Sequence, residues 1–130
     1  MPGYKFERFI AVARWAQRGV HDGRVTPGLF QTLLKNLSKT LGKPEQYCVV
    51  RVIPDQLMSF GGTFDPCGSA ILMSLGKLGV EENKTYASKI YAVVEKYLGI
   101  PNDRMYIQFI DKQTSEVGFK GTTFHQILGR

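Results

Sequence analysis

The chain is poor in exactly those residues that most often announce a function, so its shortages do the first sorting. Only two cysteines occur, Cys48 and Cys67, and they form no CxxC pair. Two thiols do not make a disulfide scaffold. Cys48 lies in an apolar, strand-like run, where it reads as a reduced, buried thiol, and a reducing compartment fits that usage best. The two histidines, His21 and His125, stand far apart with no carboxylate at metal-ligand spacing. A zinc site and a hydrolytic triad are therefore not expected, and neither a Gly-rich phosphate loop nor a GxSxG string is present. No apolar run reaches the roughly 18–20 residues needed to span a bilayer, so no membrane insertion is expected. Phe9-Ile10-Ala11-Val12-Ala13 follows basic residues as a secretory signal would, but it is too short and Arg14 interrupts it.

What is present describes one ordinary domain over residues 1–130. The 130 residues, 43% hydrophobic and 22% charged, suffice for one core. The net charge of +6 raises the question of nucleic acid. The lysines and arginines are scattered, however, and no stacking-strand pattern occurs; Val117-Gly118-Phe119-Lys120-Gly121 has the wrong order. A general affinity for anions, small carboxylates included, is the economical inference, with no specific nucleic-acid partner.

Two helices are legible. Over about 27–41, Leu29, Phe30, Leu33, Leu34, Leu37 and Leu41 trace one stripe at helical spacing. Thr26 suits the N-cap, Pro27 the first turn and Gly42 the C-terminal stop. Over about 83–98, Tyr86, Ile90, Val93, Val94 and Tyr97 give the buried face; Glu81 and Glu82 favour the start, and Gly99 with Pro101 ends it. Each helix is followed by a strand, 48–53 and 105–110, and 69–75 reads as a buried strand leading into the second helix. If Tyr4–Ile10 is also a strand, the chain is a duplicated β-α-β unit: an α/β fold with a four-stranded sheet and two helices on one face. The strands are apolar on both sides, as Val49-Val50 and Ala70-Ile71-Leu72-Met73 show. Something must cover the second face, and self-association is the simplest answer.

One block is not required by any periodicity: Gly42-Lys43-Pro44-Glu45-Gln46-Tyr47, then Pro54-Asp55-Gln56-Leu57-Met58-Ser59-Phe60-Gly61-Gly62, then Asp65-Pro66-Cys67. With Met105-Tyr106-Ile107 and Val117-Gly118-Phe119, it resembles the macrophage migration inhibitory factor branch of the tautomerase superfamily, from about Val25 to Phe124. The resemblance implies a homotrimer, keto–enol tautomerase activity on small aromatic acids of the phenylpyruvate or D-dopachrome type, and no cofactor or metal. It also implies a cytokine-like alternative: a signalling protein with little turnover, cytoplasmic or released by a non-classical route, binding a receptor of the invariant-chain type.

The residues carry these roles unevenly. Pro2 is small enough for Met1 to be removed, which leaves a secondary amine. An ordinary α-amino group titrates at roughly 7.7–8.0. Burial beside Lys43 would lower that and make a base for moving a proton between carbon and oxygen. Taken alone, Pro at position two is commonplace, and Lys43 after Gly42 reads as a solvated lysine at a helix C-terminus. The resemblance turns Lys43 into the group that pairs with a substrate carboxylate. Tyr106 and Gln108 alternate along a strand and so share a face; in relatives such residues line the neighbouring subunit's pocket, with asparagine in place of Gln108. Leu75, Val117 and Phe119 become apolar walls, Phe119 standing where relatives often carry Trp. Ala70 stands where some relatives have a second cysteine after Cys67, so no dithiol redox chemistry is expected.

Residues 1–24 depart from the pattern. The Thr-Asn-Val that precedes the first helix in relatives is missing, and the stretch from Pro2 to Val25 is longer than the family spacing. Two readings follow. In the favoured one, Pro2 opens a true edge strand, Tyr4 and Phe6 point inward, and the extra residues form a basic loop at 19–24. In the other, alignment without a gap puts Val12 where the catalytic proline belongs, and a mid-chain residue offers no terminal amine.

Overall fold

The computed structural model describes residues 12–18 and 26–129. Four strands, β1 (Val12–Arg18), β2 (Val49–Ile53), β3 (Cys67–Ser74) and β4 (Met105–Asp111), form one sheet in the order β2-β1-β3-β4. β1 runs parallel to β2, from Val12 opposite Val49 to Ala16 opposite Ile53. β3 runs parallel to β4, from Gly68 opposite Met105 to Ser74 opposite Asp111. Each parallel pair is bridged by a helix, α1 (Pro27–Leu41) or α2 (Val80–Leu98), and the two β-α-β units join antiparallel through β1 and β3. The duplicated architecture read from the sequence is therefore the architecture of the protein. A short hairpin, β5 (Gly118–Phe119) and β6 (Thr122–Thr123), and α3 (Phe124–Leu128) follow β4.

The helices form where the apolar spacing places them. Leu29, Leu33, Leu37 and Leu41 are buried at successive four-residue steps, so they line one side of α1. Phe30 and Leu34, on the shoulder of that stripe, are only half-buried. Thr26 takes the N-cap position with extended backbone, but its hydroxyl makes no capping bond. α2 begins at Val80, earlier than its apolar stripe suggests, because Asn83 Oδ1 accepts from Gly79 N–H at 3.3 Å and holds the entry turn. Both helices close on a left-handed glycine, Gly42 and Gly99, each at φ 70. Ala70 and Leu72 of β3 meet the leucines of α1 and Tyr86, Ile90, Val93, Val94 and Leu98 of α2 in one core.

The opposite face of the sheet has no helix among the described residues. Its Val49 and Tyr106 are 51% and 69% exposed, Gln108 is exposed, and Ile71 and Met73 are half-covered. The apolar second face expected from the sequence is thus present on the protomer.

Two expectations are corrected. A strand over Tyr4–Ile10 falls outside the described residues, but its place between β2 and β3 belongs to Val12–Arg18. The reading in which Pro2 opens the first strand likewise falls outside the described residues; the described β1 runs from Val12, paired on both sides with Val49 and Met73. The parallel ladder decides the matter, because β2 pairs with β1 starting at residue 12. Cys48 is not buried but half-exposed at the turn before β2, with Sγ 3.5 Å from Pro44 O; the fully buried thiol is Cys67.

Candidate functional site around Lys43

Lys43 is placed by its immediate sequence. Gly42 turns the chain out of α1, and the Lys43 N–H returns to Ser38 O at 2.9 Å. Ser38 Oγ in turn donates to Lys43 O. Pro44, extended at φ −61 and ψ 140, then leads into a single 3-10 turn over Glu45–Tyr47 and on to β2. Backbone groups on both sides of the lysine are satisfied, so its position is set rather than merely allowed.

The side chain does not point to water. Lys43 is 2% exposed, which is rare for lysine and calls for partners. Its Nζ donates to Ser74 Oγ and, at 3.5 Å, to Leu75 O. The Ser74 hydroxyl donates a hydrogen bond to Gly76 O at 2.7 Å, so its oxygen accepts from the lysine. Gly76 N–H donates to Asp111 Oδ1 at 3.0 Å, and Lys112 N–H to Ser74 O at 3.0 Å, which ties the end of β3 to the end of β4. Burial pulls the Lys43 pKa down from 10.5 to about 7, opposed by Cys48 and Asp111 and assisted by the charge of Lys77. Both of the lysine's acceptors named here are neutral.

Beside this group stands an aromatic wall. Leu75 and Phe124 are buried together, with Tyr47, Val117, Phe119 and Leu128 packed on them. Phe119 and Phe124 stack with centroids 5.3 Å apart and planes at 5°. Tyr47 meets both edge-on, at 5.6 and 6.5 Å. The hairpin β5–β6 and α3 thus fold back to bring the C-terminal rings against the turn that carries Lys43.

Of the residues singled out in the sequence, Lys43, Leu75, Val117 and Phe119 come together. Tyr106 and Gln108 do not join them within the protomer. They lie on edge strand β4 opposite Ser69 and Ile71, several residues from the Ser74–Asp111 end, and Tyr106 leans on Phe60 at 5.2 Å. Pro2 is outside the described residues. Ser74, Tyr47 and Phe124 were not singled out as site residues. Ser74 could have been, since a serine inside the apolar run Ala70–Leu75 needs a hydrogen-bond partner once buried. No group of His, Cys, Asp or Glu able to hold a metal occurs among the described residues. No helix of the described residues is long and apolar enough to cross a membrane.

Comparison with known proteins adds an independent line. The family model for macrophage migration inhibitory factor matches residues 17–125. The chain is 42% identical over 96 residues to the macrophage migration inhibitory factor of Xenopus laevis, covering 74% of this chain and 84% of that one. It is 44% identical over 105 residues to a homolog from Trichuris trichiura, covering 81% and 92%. Among solved structures, the factor from Trichinella spiralis superposes with a TM-score of 0.82 at 29% identity, covering 86% of this chain and 98% of that one. The homologue from Prochlorococcus marinus gives 0.79 at 30%, covering 87% and 98%.

Proposed function

Since the chain belongs to the macrophage migration inhibitory factor family, we propose that it binds small aromatic keto or enol acids against the Lys43 wall and interconverts their tautomers. The observation that carries this reading is the buried Lys43 amine, held by Ser74 and the Leu75 carbonyl beside the rings of Tyr47, Phe119 and Phe124. An amine next to stacked aromatics suits a ligand with a phenyl ring at one end and a carboxylate at the other. In this reading the protein is a homotrimer, and Tyr106 and Gln108 of a neighbouring copy complete the pocket. That assembly would also cover Val49 and Tyr106 on the helix-free face. Gln108, longer by a methylene than the asparagine of relatives, would shift the choice of substrate.

Keto–enol exchange needs a base that is neutral near physiological pH. The resemblance supplies Pro2, freed by loss of Met1. Because β1 starts at Val12, Pro2 can serve only if the chain between them returns toward Lys43. The same observation favours a second reading, a receptor-binding signalling protein with no turnover. The test is phenylpyruvate enol–keto exchange by the wild type and Pro2→Gly, with mass spectrometry of the N-terminus. Turnover by the wild type supports the tautomerase. Absence of turnover together with binding to an invariant-chain-type ectodomain supports signalling alone.

A further inference from the structure

We infer that Arg104 is a positioning residue of the site: through Phe60 it fixes the ring of Tyr106 that one copy presents to its neighbour's pocket. The inference rests on the trimeric tautomerase reading and adds to it a residue outside the Lys43 wall. Arg104 is half-buried, immediately precedes β4, and has its backbone bonded on both sides. Its N–H donates to Pro101 O at 3.0 Å, and its carbonyl accepts from Gly68 N–H of β3 at 3.0 Å. From that fixed point the side chain reaches back to the loop between β2 and β3.

That loop, residues 54–66, contains no helix and no strand longer than a bridge. It turns at the Phe60–Thr63 bridge, where Gly61 and Gly62 take φ 58 and 82. All three guanidinium nitrogens of Arg104 donate into it, each to a separate carbonyl. Nε bonds Pro66 O at 3.0 Å, one Nη bonds Phe60 O at 3.3 Å, and the other bonds Asp65 O at 3.0 Å. A planar, permanently charged fork suits three acceptors at fixed places, where the single nitrogen of lysine does not. The same group lies over the Phe60 ring, 5.4 Å from its centroid. Phe60 in turn lies against Tyr106, with centroids 5.2 Å apart and planes at 38°. Arg104 thus holds both the carbonyl and the ring of the residue on which Tyr106 rests.

Tyr106 is 69% exposed on edge strand β4, where a tyrosine ordinarily moves among its rotamers. Packing on a clamped Phe60 narrows that choice before any substrate arrives. Ordering a contact ring in advance favours binding. It does not alter proton transfer, so the contribution belongs to KM rather than to kcat. The three bonds of Arg104 lie within its own copy, and its effect on a pocket around a neighbour's Lys43 passes through Tyr106.

The experiment measures kcat and KM for phenylpyruvate with the wild type, Arg104→Lys, Phe60→Leu, Tyr106→Ala and the Arg104→Lys/Tyr106→Ala double variant. Circular dichroism and sedimentation check folding and assembly of each. Lysine keeps the charge and loses the fork, while leucine at position 60 keeps the backbone carbonyl and loses the ring. Both single variants should raise KM about fivefold to tenfold and leave kcat within about threefold. In the Tyr106→Ala background, Arg104→Lys should add less than about twofold, because the ring that carries its effect is gone. An effect that persists in full without that ring, or that falls on kcat, overturns the inference, as does an unchanged KM. Should Arg104→Lys fail to fold, Phe60→Leu decides, since it breaks the same chain one link further on: a raised KM supports the inference and an unchanged one overturns it. The NMR signals of the Tyr106 ring, in tyrosine-labelled protein with Tyr106→Phe for assignment, give a readout independent of turnover. They should shift the same way in Arg104→Lys and Phe60→Leu, and signals unmoved in Arg104→Lys refute the clamp. A wild type with no turnover is instead the failure of the tautomerase reading, and the ring signals then still decide for or against Arg104.

Discussion

At the scale of single residues, the buried Lys43 leaves a signature in stability. Above about pH 10.5 the lysine is neutral whether the chain is folded or not. As pH falls, the unfolded chain takes up a proton that the folded one refuses until about pH 7. Stability should therefore drop by about 1.4 kcal/mol per pH unit across that window and level off below it. Urea unfolding between pH 7.5 and 9.5 checks this against Lys43→Met, in which the slope due to this group should vanish. A slope unchanged in the variant would mean the lysine is not desolvated. The sequence made Lys43 conspicuous only through the string around it. Nothing in Gly42-Lys43-Pro44 reveals that the side chain turns inward, because its partners, Ser74 and Leu75, come from a distant strand.

At the scale of elements, local signals and ladder geometry were unequally readable. The leucine stripe and Gly42 gave α1, and Tyr86, Ile90, Val93 and Val94 gave the body of α2, since helical spacing is a short-range property. The first strand was misjudged because its pairing is non-local. Tyr4–Ile10 and Val12–Arg18 are both plausible strands in isolation, and only the match of Val12 with Val49 and Met73 chooses between them. The fold-back of β5, β6 and α3 onto Tyr47 was likewise invisible, as it is a long-range aromatic contact. Two substitutions test the element-level account. Gly42→Ala meets no atom within 4 Å but must hold φ 70, so it should cost about 1–2 kcal/mol through backbone strain alone. A change under about 0.3 kcal/mol in chemical unfolding would contradict the left-handed cap. Leu33→Ala, at 1% exposure in the centre of the stripe, should cost about 2–5 kcal/mol.

For the whole molecule, the uneven covering of the sheet is the main consequence. One face is sealed by α1 and α2, while the other presents Val49 and Tyr106 with half-covered Ile71 and Met73. Proteins seldom leave such a face bare. Sedimentation at micromolar concentration should give a trimer, and Val49→Glu should shift it toward monomer. A wild type that stays monomeric would leave Tyr106 and Gln108 without a pocket to line. Family and fold were legible at this scale because the Gly42–Tyr47 and Pro54–Cys67 strings span the turns between elements. The fate of the N-terminal segment was not, since its sequence shares none of those strings.

The most direct measurement is the titration of Lys43 itself, followed by heteronuclear NMR of its Nζ and Cε in lysine-labelled protein, with Lys43→Arg for assignment. The account predicts a single transition near pH 7, well below that of the other lysines. A Lys43 that titrates with them, close to its ordinary value of 10.5, would contradict it.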